Sequence, residues 1–266
     1  KANDMVITQF WPFRWLLLTF LSRAIKSRYV GSVSGFFWSL IHPLALLAVY
    51  AFVFTAIFRV KFPQLEGHSF VVFVAVALWP WLAFQEGVQR GALAVQASAS
   101  LVKKVAFPHE LLVHGAVGAT YVVHGIGFLL VLTVLWLNGA ALSLHTLPLV
   151  LLVLFIQYLL TSGLALLLGG LQVLLKDVEH FLTPLFMVWF YATPILYPVG
   201  LVPEAMQRVI ALNPMTYFAE RMRDLLLYGN YELTLADLSM LIGSILTLIV
   251  GRWVFNRLSP HFEDFL

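Results

Sequence analysis

Cysteine is absent from the 266-residue chain, which excludes disulfide frameworks, thiolate metal sites and cysteine nucleophiles but identifies no compartment. Charge is scarce as well. Only 11% of residues are Asp, Glu, Lys or Arg against 61% hydrophobic, and mean hydropathy is +0.90. Soluble domains carry roughly 25% charged residues, so this composition describes an integral membrane protein. A bilayer core about 30 Å thick takes roughly 20 apolar residues per helix, which leaves room for several spans and little for a separate soluble domain. No nucleic-acid partner is expected.

Motifs for bond chemistry are missing too. There is no H-E-x-x-H and no spaced acidic cluster, and the eight histidines are scattered, so no metal site is expected. His109 and His114 straddle a predicted membrane boundary. No Gly-Lys dipeptide occurs, so the chain lacks a G-x-x-x-x-G-K-[ST] loop, and any ATP used must be bound by another chain. In Gly31-Ser32-Val33-Ser34-Gly35 the central position is Val33, which fails the serine-hydrolase elbow. Gly31 with Gly35, and Gly87 with Gly91, instead form G-x-x-x-G, a helix-packing spacing. Glu86 and Asp237 fall near predicted span ends, which argues against an ion-coupled carrier with deep ionisable groups.

What remains is a pattern of helices. Residues 1–35 do not read as a cleavable signal, because Asp4 precedes and Arg14 interrupts the apolar part. The chain begins at Lys1, and a native start upstream is expected. Between Pro12 and Arg28, Thr19, Ser22, Arg23, Lys26 and Ser27 share one helical face opposite Trp15, Leu16, Leu17, Phe20 and Leu21, which predicts an amphipathic helix on a membrane surface. Uncharged runs bounded by breakers predict six spans, at 36–58, 70–90, 112–137, 148–173, 181–199 and 235–256. Asn138, Gly139 and Pro148 divide the run from Leu111 to Leu175 into two of them.

Orientation follows from the basic residues. Lys1, Arg14, Arg23, Lys26, Arg28, Arg90, Lys103, Lys104, Lys176, Arg252 and Arg257 fall on one side, against Arg59, Lys61, Arg208, Arg221 and Arg223 on the other. The positive-inside rule then places both termini in the cytoplasm. Between spans five and six, Pro203-Glu204 opens one helix, Asn213-Pro214 breaks it, and Met215 to Tyr228 forms a second that Gly229 ends. Both are too short to cross, so a re-entrant helical hairpin in the outer leaflet is expected. The whole chain, 1–266, reads as a single all-α transmembrane domain: 1–35 cytoplasmic, 36–199 spans one to five, 200–234 the hairpin, and 235–266 span six with a cytoplasmic tail.

Three segments in this order resemble the permease subunit of the type-2 ABC exporters that move capsule, O-antigen and teichoic-acid polysaccharides. The first is Arg28-Tyr29 with Gly35, Trp38 and Pro43; the second is Leu101-Val102-Lys103-Lys104-Val105-Ala106-Phe107-Pro108. The third runs from Lys176-Asp177-Val178 through Thr193-Pro194-Ile195-Leu196-Tyr197-Pro198 to Asn213-Pro214 and Arg223-Asp224. Ser34 and Lys176 depart from the usual aliphatic residue and arginine. The resemblance implies a homodimer in the inner membrane, with a pathway for a lipid-linked polysaccharide between two six-helix halves. It also implies two copies of a separate ATPase that binds ATP and Mg, and periplasmic or outer-envelope export proteins are candidate further partners. The surface helix, with Arg23, Lys26 and Arg28, becomes an interface helix. Residues 101–108 become a coupling helix seated in the ATPase, and the hairpin, with Asn213, Pro214, Arg221, Arg223 and Asp224, becomes a gate.

Two physical readings stand beside the resemblance. Leu101, Val102, Val105 and Phe107 could lodge in a hydrophobic cleft while Lys103 and Lys104 meet acidic rims or lipid headgroups and Pro108 fixes the exit; the plainer alternative makes both lysines positive-inside anchors. Aromatics make up 15% of the chain, and rigid apolar faces suit a sliding sugar polymer. Trp38, Tyr50, Phe54, Trp189 and Tyr191 are the expected pathway residues. Arg223 and Asp224, beside Glu220 and Arg221, can pair with each other or across a dimer, contact an anionic cargo, or form a solvated face, and the sequence does not choose among these. The alternatives are a drug or small-lipid exporter of the same architecture, an intramembrane enzyme, or a membrane scaffold.

Overall fold

A computed structural model describes residues 13–28, 35–59 and 67–266. Tyr29 to Ser34, with the first G-x-x-x-G glycine and the rest of the Arg28-Tyr29 motif, lie outside the described residues, as do Lys1, Asp4 and Lys61. Among the described residues all regular structure is helical. Among the described residues, five helices are long and apolar enough to cross a membrane: Leu40–Ile57, Phe70–Leu93, Glu110–Leu137, Leu144–Leu174 and Leu235–Phe265.

The first helix, α1 (Arg14–Ser27), exposes Arg23 and Lys26 and buries Phe20, the amphipathic division expected of it. Helix α2 (Gly35–Ala51) continues through wider turns over Phe52–Ile57. Helix α3 (Phe70–Leu93), capped by the Ser69 hydroxyl, is the most enclosed span, and its Trp79, Trp81 and Phe84 are buried. A short helix, α4 (Ala99–Val102), precedes two long ones, α5 (Glu110–Leu137) and α6 (Leu147–Leu174), the latter with Pro148 in its first turn, where a missing N–H does no harm.

Helix α7 (Val178–Tyr191) departs from the expected fifth span at 181–199. It has 14 residues, about 21 Å at 1.5 Å per residue, and so falls short of the bilayer core as a continuous helix. The reason is local. Thr193 precedes Pro194, which disfavours the helical conformation, and Pro198 follows. The chain from Thr193 to Leu196 is instead buried as turns. Helices α8 (Glu204–Ala211) and α9 (Pro214–Leu226) form the pair predicted around Asn213-Pro214. Gly229 ends the second at φ +72°, and a side chain there would meet Ser143 Oγ at 2.8 Å. The last span, α10 (Leu235–Leu258), begins with a reciprocal cap between Thr234 and Asp237, and α11 (Phe262–Phe265) closes the chain.

Small residues set the helix spacing. A Cβ on Gly91 would lie 2.6 Å from Ala165 and one on Gly87 2.8 Å from Thr161, so the Gly87/Gly91 pair lets α3 approach α6. The α6–α10 crossing is tighter still, because a Cβ on Gly251 would lie 2.1 Å from the Gly163 carbonyl. Buried side chains form two clusters, one around Trp79, Trp81, Phe186 and Phe218, the other around Phe20, Val102, Leu111, Phe255 and Phe262. The second joins α1, α4 and α11 at one end of the bundle, here termed the α4 end; α8 and α9 cap the α9 end.

Candidate functional site

At the α4 end, residues 101–108 divide into an anchored and a free part. Val102 is 1% exposed and Leu101 packs beside it in the second core cluster. The Phe107 ring lies 5.4 Å from Phe20 and 5.2 Å from His109, which stacks at 6.0 Å on Phe262. Burial lowers the His109 pKa, and Glu263 opposes the drop. Lys103, Lys104, Val105 and Ala106 are exposed, and Pro108 is half-buried. The expectation that all four apolar side chains face a partner is therefore corrected. Val102, Leu101 and Phe107 bind the segment to its own protein, and the projecting tip is Lys103 to Ala106. The Arg252 guanidinium donates to both Glu110 oxygens, at 2.8 and 3.0 Å, which ties the start of α5 to the end of α10.

One helical depth further in lies an ionic cluster whose hub, Glu86, is seven residues from the end of α3, about 10 Å inside it. Glu86 Oε1 receives Arg28 at 3.2 Å and also Arg90 from one turn along the same helix. Its other oxygen is 2.6 Å from His124 Nε2 on α5. Arg28 also donates to the Thr120 hydroxyl, so the end of α1 is fastened to α3 and α5 together. Arg23 and Lys26, by contrast, remain on the exposed face of α1. Glu86, Arg90 and His124 were absent from the expected site; the one signal available was an acid and a base at i and i+4 within an otherwise apolar run.

The expected pathway aromatics separate into two groups. Tyr50 stacks on Phe190 at 5.8 Å, Phe54 stacks on Phe70 at 5.0 Å, and Trp189 meets Trp81, Phe84 and Phe186 at 5.3 to 6.2 Å. These rings form a seam joining α2, α3 and α7. Tyr191, 57% exposed, meets Phe190 edge-on at 5.3 Å at the rim of the seam, whereas Trp38 is 61% exposed. Trp189 also donates its indole N–H to Asn213 Oδ1 at 2.8 Å.

Through that bond the seam reaches the hairpin. Asn213 Oδ1 caps α9 by accepting the Met215 N–H at 2.9 Å, and its amide donates to Thr193 Oγ1 at 2.9 Å. Pro214 occupies the first position of α9. Arg223, 1% exposed, donates to the carbonyls of Pro194 and Ile195 at 2.7 Å each and of Phe73 at 3.2 Å, pairs with Glu220, and sits 3.5 Å above the Phe73 ring centroid. Burial lowers its pKa to about 10, against the pull of Glu220, so it stays charged at neutral pH. Arg221 pairs with Asp237 at 2.9 Å and Asp224 at 2.6 Å, and Tyr217 donates to Asp237. Of the open readings, direct pairing of Arg223 with Asp224 is not the arrangement within this chain, where Asp224 goes to Arg221 and Arg223 to Glu220. Helical geometry explains this: neighbours at i and i+1 diverge by about 100°, whereas each arginine meets its acid at i±3. The hairpin is further held by Thr146 Oγ1 on the Leu225 carbonyl at 3.0 Å and by the Ser143 N–H on that of Leu226 at 2.9 Å.

Among the described residues, five long apolar helices and charged groups paired inside the bundle define an all-helical, multi-pass membrane protein. Residues 16–227 match the ABC-2 type transporter family, and the chain belongs to that family. It is similar to the O-antigen export system permease protein RfbA of Myxococcus xanthus, with 30% identity over 95% of this chain and 94% of the relative. The protein of the same name from Klebsiella pneumoniae is 29% identical over 94% of this chain and 95% of its own length. The polysialic acid transport protein KpsM of Escherichia coli is 20% identical over 88% of this chain and 90% of its own.

Proposed function

We propose that this chain is the membrane-spanning permease subunit of an ATP-driven exporter that carries a lipid-linked polysaccharide, of O-antigen or capsule type, across the inner membrane. The observation that carries the reading is the near full-length similarity to two O-antigen export permeases and, more distantly, to a polysialic acid transporter. The chain works as a homodimer with both termini in the cytoplasm. Two copies of a separate ATPase bind ATP and Mg and dock on the projecting Lys103–Ala106 tip. Because Leu101, Val102 and Phe107 fix that tip to α1 and the chain terminus, a push on it moves the interface helix as one body. The Arg28–Glu86 bond passes that movement to α3 and α5. The subunit catalyses translocation, not bond chemistry; ATP hydrolysis elsewhere selects between closed and open arrangements of the dimer. The aromatic seam of Tyr50, Phe54 and Trp189 borders the pathway, and the α8–α9 hairpin gates its far end.

The deciding experiment deletes the gene and follows both surface polysaccharide and lipid-linked polymer in the cytoplasm. Loss of the first with accumulation of the second is expected. An unchanged surface, or purification without a stoichiometric ATPase, would overturn the reading in favour of another cargo or another class.

A further inference from the structure

Gln172, in the last turn of α6, is fully buried, and both polar atoms of its amide have partners. Its Oε1 accepts the Glu179 N–H at 2.8 Å, and its Nε2 donates to Gln96 Oε1 at 2.8 Å and to the Lys176 carbonyl at 3.4 Å. An amide with no exposed surface costs free energy unless its bonds are made. Hydrocarbon is otherwise the rule here, with Leu171, Leu174 and Leu175 as its neighbours in sequence. The Glu179 N–H is among the first of α7, which have no acceptor inside the helix, and Asp177 at the cap position makes no side-chain cap bond. A residue of the preceding helix supplies the cap instead. That bond is local, but the bond to Gln96 spans 76 positions.

Gln96 begins the run of turns that leads to the exposed tip. Ser98 donates to the Val95 carbonyl, Lys103 to that of Ala99 and Val105 to that of Leu101, at 3.0 to 3.1 Å, so hydrogen-bonded backbone continues from Val95 into the tip. Val95, Val102 and Val173 belong to one core cluster, which sets apolar packing beside the amide bonds. At the opposite end of α7, Trp189 holds Asn213, and Asn213 holds Thr193 and caps α9. Helix α7 is therefore bonded at its start to the segment before the tip and near its end to the hairpin, across 14 residues or about 21 Å.

On the reading that the ATPase docks on the tip, we infer that Gln172 is a positioning residue that joins the segment from Gln96 to Ala106 to α7. Movement of the tip then has a route to the hairpin separate from the one through α1, Arg28 and Glu86. Three bonds from one side chain hold the end of α6, the start of α7 and the segment before α4 as a unit. Displacement of Gln96 therefore acts on the first turn of α7. A displaced α7 carries Trp189, and with it the Asn213 that sets the start of α9.

The first test uses the full-length chain with its ATPase and measures ATP hydrolysed and polymer exported together. Gln172→Met keeps the length of the side chain and removes all three bonds. The freed Gln96 is half-buried and Glu179 exposed, so water can replace the lost partner and the fold should hold. Gln96→Met removes only the long-range bond, and decides alone should Gln172→Met fail to fold. Each variant should lower export per ATP roughly fivefold, the equivalent of one neutral hydrogen bond, with ATPase binding and thermal midpoint unchanged. The double variant should be no worse than Gln172→Met, because both act through one bond. Export and hydrolysis falling together, in step with the amount of folded complex, would reduce Gln172 to a helix cap and overturn the proposal. Normal export per ATP in Gln96→Met would overturn it as well. A second measurement needs neither cargo nor ATPase. Hydrogen exchange of the purified Gln172→Met chain should quicken at residues 96–102 and 178–181 and also at 193–214, beyond the far end of α7. Quickening confined to the first two stretches would overturn the linkage, whereas wild-type protein that neither binds an ATPase nor exports polymer would overturn only the export reading.

Discussion

The two ionic networks of this protein solve the same problem in different ways. At the α9 end, Arg223 and Arg221 each make four hydrogen bonds: acids at i±3, Asp237 from α10, and carbonyls from α3, the turn after α7 and Glu232 enclose them. At the α4 end, Glu86 joins Arg28, Arg90 and His124, and Glu86 and Arg90, at 30% and 48% exposed, keep contact with solvent. A closed network fixes geometry, since removing any one member strands the others in a low-dielectric interior. An open network holds its elements together while its outer members stay in contact with water. The first therefore fixes α9 against α3 and α10, and the second ties α1 to α3 and α5 at a more exposed edge.

The sharpest way to break the contrast is Arg223→Met. It leaves three carbonyls and Glu220 without their donor, and destabilisation of about 3 to 5 kcal/mol is expected from losing one side of a buried charged arrangement. Thermal unfolding of the purified protein should show the largest midpoint drop of this set. Arg223→Lys should recover little, because one ammonium cannot span donors arranged for a fork. Next comes Asp237→Asn, which removes the charge opposite Arg221 and weakens the Thr234 cap. About 2 to 3 kcal/mol is expected, with the hairpin becoming the first segment to lose protection in hydrogen exchange.

Glu86→Gln probes the open network and should be milder, about 1 to 2 kcal/mol, because Glu86 and Arg90 retain water contact. Its larger consequence should appear in export rate, as the interface helix loses its bond to α3. If Glu86→Gln destabilised the fold as much as Arg223→Met, the distinction between the two networks would fail. The smallest structural effect belongs to Val105→Asp on the exposed tip, where stability should stay within about 0.5 kcal/mol. Export and partner ATPase stimulation should nevertheless fall sharply. Replacing Leu101 and Phe107 with aspartate should also abolish export, but together with a loss of stability, since both are packed against the protein itself.

Much of this architecture was legible in the sequence, and the reasons are local. Uncharged runs located the helices Phe70–Leu93, Glu110–Leu137 and Leu147–Leu174 to within a few residues, because apolar length and breakers act on the chain nearby. The alternating face between Arg14 and Ser27 and the Asn213-Pro214 and Gly229 punctuation of the hairpin were equally visible. Where the reading fell short, hydropathy and helical conformation disagreed: residues 192–199 are apolar enough to continue a span, yet Thr193-Pro194 turns them. At residues 101–108 the sequence identified an apolar, basic turn but could not distinguish the side chains buried against Phe20 and Phe262 from those left outside.

The sequence by itself determined that this is a multi-pass helical membrane protein, where its breaks fall and which end carries the basic residues. Composition, run length and Pro/Gly placement act within one or two turns of the chain. Only the tertiary structure decided what each rare charge does. Arg223 takes the Phe73 carbonyl 150 positions away, Arg252 takes Glu110 across 142, and Arg28 finds Glu86 on another helix. In a low-dielectric interior a charge pairs with whatever donor or acceptor the packing of helices brings within reach, and that packing is a property of the assembled bundle.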